Sequence, residues 1–232
     1  MAFFWRDRTM RVQQCDSDPF MKIVVIEDHQ LVRDMLMASC SAIVSGAVVS
    51  GASTAAEGVV LCSREQPDLV FLDLVLPDGD GIDFVATILA GTPHARVIAL
   101  TSHSDEFTLH RALRANVHGF IDKNEQPLGL LPEAIATVMA GRPYFSSVVQ
   151  RVRAALRSDP AAFNKVLSDR EQALLQLFGE GLSNEDVAER VKLTPGTVKL
   201  HRRNIMGKLG VHSTPQLMRY ALEKGFTRIR RE

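Results

Sequence analysis

Residues 69 to 81, Leu-Val-Phe-Leu-Asp-Leu-Val-Leu-Pro-Asp-Gly-Asp-Gly, constrain this chain more than any other stretch. Four apolar residues lead into Asp73, which suits a strand buried on both faces, and Pro77, Asp78, Gly79 and Gly81 then break the chain into a turn. A carboxylate is thereby placed at the carboxyl end of a buried strand, the edge at which open α/β sheets bind ligands. The pattern makes Asp73 the first candidate for chemistry at that edge.

The flanking segments supply a matching frame. Lys22 to Ile26 reads as a strand ending in Glu27-Asp28, and residues 29 to 43 as a helix with Leu31, Met35, Leu36 and Ile43 at helical spacing. Ala47 to Val49 reads as a strand, and Thr54 to Arg64 as a helix with Thr54 and Glu57 as a capping box. After the strand at 69 to 73 come a helix at 82 to 90, a strand at 96 to 100, a helix at 105 to 115, a strand at 119 to 121 and a helix at 127 to 140. Five alternations of strand and helix predict a doubly wound, five-stranded parallel sheet. Asp78 and Asp80 are expected to cap the helix at 82 and shape the turn before it.

In that architecture Glu27, Asp28, Asp73, Thr101, Ser102 and Lys123 gather at one edge. Three carboxylates together call for a cation, and oxygen ligands with room for water and phosphate suit Mg²⁺. Chemistry then assigns the roles: Asp73 attacks a phosphoryl group, Lys123 pairs with that group, and the Thr101 hydroxyl donates to it.

This set, with Pro77, Gly81 and Phe120-Ile121-Asp122-Lys123, resembles the receiver domain of two-component response regulators. The resemblance implies a flavodoxin-like fold and phosphorylation of Asp73 by a sensor histidine kinase or a small phosphodonor. It also implies Mg²⁺ held by Glu27, Asp28, Asp73 and the Val75 carbonyl, and a switch in which Thr101 and Phe120 move together. A haloacid-dehalogenase-type phosphatase needs a second Asp two residues after the nucleophile, and position 75 is Val; no H-E-x-x-H, G-x-S-x-G or Walker loop is present. The chain therefore reads as a regulator, not an enzyme. Val75 and His103 flank the pocket, and the apolar Val75 predicts a slowly hydrolysed acyl phosphate.

Charge separates the two halves. Residues 21 to 141 carry 7 Lys+Arg against 15 Asp+Glu, a net of −8, whereas residues 142 to 232 carry 17 against 9, a net of +8. The basic half is the candidate for a polyanion. Between them, Gly141-Arg142-Pro143 stops the last receiver helix, and Val148, Val149, Val152 and Leu156 predict a short amphipathic linker helix.

Ser168 with Glu171 and Ser183 with Asp186 mark two helix starts, Pro195 begins a longer helix through Leu209, and a last helix runs from near Pro215 to Gly225. This is a small four-helix domain containing a helix-turn-helix. Val198, Ile205, Met206 and Leu209 form the inner side of the long helix, while Lys199, Arg202, Arg203 and Lys208 supply positive charge. Gly181-Leu182-Ser183-Asn184, Val187-Ala188, Thr197-Val198-Lys199, His201 and Lys208-Leu209-Gly210-Val211 look like the LuxR-type helix-turn-helix, and the whole chain resembles the NarL/FixJ class. The resemblance implies base-edge contacts from Lys199, Leu200 and Arg203 on double-stranded DNA, phosphate contacts from Thr197, Arg202 and Lys208, and a homodimer, when phosphorylated, through the helix at 215 to 224. Thr214 stands where the family often has Arg. A module that signals by protein contact, silent on DNA, is the rival reading.

The expected division is a disordered leader at 1 to 20, with Met21 as an alternative start, a receiver at 21 to 140, a linker at 141 to 166, and the helix-turn-helix domain at 167 to 228. Cys15, Cys40 and Cys62 form no C-x-x-C pair and read as reduced thiols. No run approaches the roughly 20 apolar residues of a membrane span. The five apolar residues at the start are followed by Arg6, Asp7 and Arg8, unlike a signal peptide. The cytoplasm is the expected location.

Overall fold

The computed structural model describes residues 20–227, so the leader expected over 1 to 20 lies, except for Phe20, outside the described residues. Within them the chain opens with β1 (Lys22–Ile26), α1 (Gln30–Ile43), β2 (Val48–Ala52), α2 (Ala55–Glu65) and β3 (Leu69–Asp73). Then follow α3 (Ile82–Gly91), β4 (Arg96–Thr101), α4 (Glu106–Arg114), β5 (Gly119–Asp122) and α5 (Pro127–Met139). A two-residue antiparallel hairpin, Val75–Leu76 against Gly79–Asp80, follows β3. Its return presses on the chain it has just left: a Cβ at Gly81 would lie 2.2 Å from the Asp73 carbonyl oxygen, so only glycine fits there.

The sheet order is β2-β1-β3-β4-β5-β6, all parallel. The sixth strand, β6 (Tyr144–Phe145), comes from the segment expected to be linker and joins the five expected strands. Ser146 fastens it: its N–H donates to the Phe120 carbonyl at 3.1 Å, and its hydroxyl accepts the Asp122 N–H at 3.2 Å. Neighbouring strands β1 and β3 leave the sheet in opposite directions, which makes their carboxyl ends the topological switch point.

One face of the sheet buries Leu36 and Cys40 of α1 with Leu131, Ala134, Ile135 and Val138 of α5. Leu31 and Met35, two of the four apolar residues at helical spacing, are 72% and 45% exposed. The opposite face packs under α2, α3 and α4. Asp78 caps α2, not the helix at 82, accepting the Ala55 and Ala56 N–H groups at 3.0 and 2.9 Å. Asp80 does shape the turn, accepting the Ile82 N–H at 3.0 Å. Thr54 caps α2 as expected, but the Glu57 carboxylate reaches the N–H and hydroxyl of Ser53 instead of closing the box on Thr54.

Beyond β6 lie α6 (Ser147–Ser158), the short α7 (Phe163–Val166), then α8 (Asp169–Gly179), α9 (Asn184–Val191), α10 (Pro195–Leu209) and α11 (Thr214–Glu223). Both capping boxes expected from sequence form, Ser168 with Glu171 and Ser183 with Asp186. The buried core does not stop at the receiver. It continues from Phe107 of α4 through Phe163 and Phe226 to Phe178, Val198 and Ile205, so the two halves share one apolar interior.

Candidate phosphoacceptor site and DNA-facing helix

The end of β1 supplies Glu27 and Asp28, the end of β3 supplies Asp73, β4 ends in Thr101, and Lys123 follows β5. The structure brings together most of what the sequence predicted. Lys123 Nζ donates to Glu27 Oε2 at 2.6 Å and to Asp73 Oδ2 at 2.7 Å, bridging two carboxylates that are 1% and 4% exposed. Burial raises the Glu27 carboxyl above its usual range, with the nearby Asp73 charge adding to the shift and Lys123 opposing it. Burial works to lower the Lys123 ammonium, but Asp73 and Glu27 outweigh it and hold the pKa up. The lysine is therefore a firm cation at neutral pH.

Asp73 Oδ1 accepts the Val75 N–H at 3.0 Å, which fixes the carboxylate against the hairpin. Thr101 is fully buried; its hydroxyl accepts the His103 N–H at 3.1 Å and keeps its own proton to donate. Phe120 is also fully buried, and its strand neighbour in register is Phe145 of β6, in the segment that leads to the second half.

The residues fit a hard cation. Glu27 Oε1 is buried and has no hydrogen-bond partner, an orphan that a metal would satisfy. Glu27, Asp28 and His29 offer ligand atoms lying within 4.8 Å of one another. His29 was not singled out from sequence; its Nδ1 lies 2.8 Å from Asp28 Oδ1, and its position directly after the acid pair was the available signal. Asp73 stands apart from that trio, linked to Glu27 through the Lys123 ammonium.

On the other half, Lys192 in the left-handed conformation turns the chain between α9 and α10. Val198 and Ile205 of α10 are fully buried, with Met206 and Leu209 packed against the same core. Lys199, Leu200 and Arg203 are exposed, Leu200 at 47%. Thr197 is half-buried, its hydroxyl bonded to that of the cap residue Thr194 at 2.8 Å.

Two residues expected to contact phosphate have partners within the protein. Arg202 turns inward, its guanidinium 4.2 Å over the Phe178 ring and donating to the Leu182 carbonyl at 2.9 Å; desolvation lowers its pKa. It braces α10 against α8. Lys208 Nζ donates to both Glu171 oxygens at 2.8 and 2.7 Å, tying the end of α10 to the start of α8. Spacing marks a basic helix face but does not say which of its cations the neighbouring helix takes.

The fold and the acid-lysine pocket define a receiver followed by a helix-turn-helix, and comparison with known proteins agrees. Residues 23–135 match the family described as response regulator receiver domain, and residues 165–221 match that described as bacterial regulatory proteins, luxR family. The chain is 33% identical to the oxygen regulatory protein NreC of Staphylococcus haemolyticus, over 88% of this chain and 98% of that protein. It is 31% identical to the fimbriae Z protein of Salmonella typhimurium, over 86% and 95%. Among solved structures, RcsB of Salmonella enterica serovar Typhimurium bound to promoter P1flhDC with phosphomimetic BeF3- aligns with a TM-score of 0.63 at 23% identity, covering 86% of this chain and 97% of that one. The chain belongs to the response regulators that join a receiver domain to a LuxR-type DNA-binding domain.

Proposed function

We propose that this response regulator takes a phosphoryl group on Asp73 and that the modification controls transcription through paired binding of α10 to double-stranded DNA. The observation that carries the reading is the Lys123 bridge between Asp73 and Glu27, set beside the orphaned Glu27 Oε1. An Asp73 oxygen forms the new P–O bond while the bond to the donor breaks and the donor keeps the electron pair. Lys123 Nζ, already on Asp73 Oδ2, is placed to pair with the incoming phosphoryl oxygens, and the Thr101 hydroxyl proton is placed to follow. Mg²⁺ held by Glu27, Asp28, Asp73 and the Val75 carbonyl would offset charge on the transferring oxygens. The donor would be a sensor histidine kinase or a small acyl phosphate.

The output rests on Lys199, Leu200 and Arg203, which α10 presents outward, with Thr197 near its start for a phosphate. Two copies, paired through α11, would set two α10 helices roughly one DNA turn apart. The proposed division is a receiver at 21 to 140, a linker at 141 to 166 whose β6 strand is bound into the receiver sheet, and a DNA-binding unit from 167. Work in the cytoplasm fits the buried Cys40 and Cys62, whose thiols burial pushes up to about 12, and the lack, among the described residues, of a helix able to cross a membrane.

Treating the full chain with acetyl phosphate and Mg²⁺ should add about 80 Da, the mass of one phosphate, and the Asp73→Asn variant should gain none. A gel shift on promoter DNA with and without the donor, repeated across salt, tests the output. Phosphate found on the Asp73→Asn variant would move the acceptor elsewhere.

A further inference from the structure

Between α5, β6 and α6 lies a concave site of about 800 Å³ that neither the phosphoacceptor pocket nor the DNA-facing helix uses. Arg142, from the turn after α5, and Arg153 and Arg157, from α6, line it. Its floor is β6, where Tyr144 and Phe145 are both buried, and Pro143 and Ala154 add apolar surface at its edge. Gln150 braces that floor, donating from Nε2 to the Phe145 carbonyl at 2.7 Å.

The site is left with uncompensated charge. α6 carries Arg151, Arg153 and Arg157 and no acid. Among the described residues no carboxylate pairs with the guanidinium of Arg142, Arg153 or Arg157, although the receiver half beside them has an excess of acid. Arg153 and Arg157 stand one helical turn apart, a spacing at which like charges repel. The Arg153 guanidinium lies 4.5 Å over the Phe145 ring, which sets its plane, and desolvation, followed by Arg157, lowers its pKa. Glu133, the single carboxylate on the lining, stands beside the Tyr144 hydroxyl, whose pKa burial raises first and that carboxylate next. The lining therefore has a net charge of +2.

Guanidiniums bind phosphate oxygens in pairs, and a volume of this size suits a small molecule larger than a bare diphosphate. We infer that this face of the receiver binds an organic diphosphate of nucleotide size, its phosphates on Arg142, Arg153 and Arg157 and its organic body against Pro143 and Ala154. Bound there, the ligand would press on β6, whose Phe145 is in register with Phe120 and whose Ser146 N–H holds the Phe120 carbonyl. A dissolved metabolite would thereby act on the strand pair next to the phosphoacceptor, without any change at Asp73 itself.

Titration calorimetry of the full chain with ADP as probe tests this, in buffer without Mg²⁺ so that no metal at Asp73 recruits the phosphates. Arg142→Gln, Arg153→Lys and Arg157→Gln should each weaken ADP binding about tenfold, the effect of losing one charged hydrogen bond. Arg151→Gln, on the same helix but off the lining, Lys199→Ala on α10, and Asp73→Asn should bind as wild type does. Pyrophosphate should bind about tenfold more weakly than ADP, and adenosine not at all. Hydrogen exchange at residues 144 to 146 should slow when ADP is added. The inference is overturned if wild type binds no ADP, if adenosine or pyrophosphate binds as tightly as ADP, or if exchange at 144 to 146 is unchanged. An equal loss in Arg151→Gln or Lys199→Ala would show that any basic surface takes the anion, and a loss in Asp73→Asn would place ADP in the phosphoacceptor pocket; either result overturns it. So would lining variants that keep ADP affinity but lose affinity for duplex DNA, since the arginines would then be contacts to the DNA backbone.

Discussion

Replacing Lys123 with methionine keeps the length of the side chain and removes the one ammonium lying between two buried carboxylates. At 2.6 and 2.7 Å from Glu27 and Asp73, each contact has a gross attraction of about 6 kcal/mol at an effective dielectric of about 20, most of it offset by the desolvation of three charged groups. What decides the outcome is the state left behind, two like charges with nothing between them, and deleting one partner of such a buried set typically costs about 3–5 kcal/mol. Lys123 keeps some contact with water, so the lower end applies, about 3 kcal/mol, or a fall in Tm of about 6–12 °C for a chain of this size. Urea and thermal unfolding of the full chain, without metal, measure this. Mg²⁺ should then stabilise Lys123→Met more than wild type, because the ion no longer competes with the ammonium for the same oxygens; saturation at about 100 times its Kd is worth about 2.7 kcal/mol. A variant within about 1 kcal/mol of wild type without metal, or an equal response to Mg²⁺ in both proteins, would refute the account of Lys123 as the ion that holds the acids together.

Three more expectations follow from particular contacts. Arg202→Met should destabilise the C-terminal half by about 1–2 kcal/mol, through the lost bond to Leu182 and the lost stacking on Phe178, yet leave the salt dependence of DNA binding unchanged; Lys199→Ala or Arg203→Ala should lower that slope, by about 1 for a residue that contacts phosphate. A Val75→Asn variant should lose phosphate about fivefold faster than wild type, the effect of about 1 kcal/mol in the barrier, since a polar side chain admits water beside Asp73; an unchanged decay in a radiolabel chase counts against the role of Val75. His110, edge-on to Phe163 with its Nε2 buried and unpartnered, has its pKa held below 6.5 by desolvation and by Arg114, with Asp169 opposing. Asp83 and Arg111 face the same groove. Folding favours the neutral ring, so its contribution is complete above pH 6.5 and falls as pH drops from there toward the lowered value. Stability should thus decline on acidification, and less steeply in His110→Gln; because His118, lowered by burial and Arg96, gives the same sign, the difference between the two proteins is the measurement.

The sequence by itself determined the alternation of strand and helix, the placing of Glu27, Asp28, Asp73, Thr101 and Lys123 at strand ends, and the capped helices around α10. Those features are local: the period of apolar residues, a cap three residues from its partner, a proline or glycine at a turn, each acting over a few residues of chain. Tertiary structure decided the rest. Leu31 and Met35 keep helical spacing and yet face outward, while Leu36 and Cys40 are the α1 residues buried in the core. Arg202 and Lys208 carry the same charge as Arg203, but Phe178 draws Arg202 inward and Glu171 pairs with the exposed Lys208, each partner more than twenty residues away in sequence. The segment after Met139 looks like a linker because Tyr144–Phe145 is too short to signal a strand; it becomes one only because β5 presents an open edge with unpaired backbone groups. The meeting of Phe107, Phe163 and Phe226 likewise has no periodic trace, since three residues on three separate elements are brought together by the burial of apolar surface, which has no fixed direction or spacing in sequence.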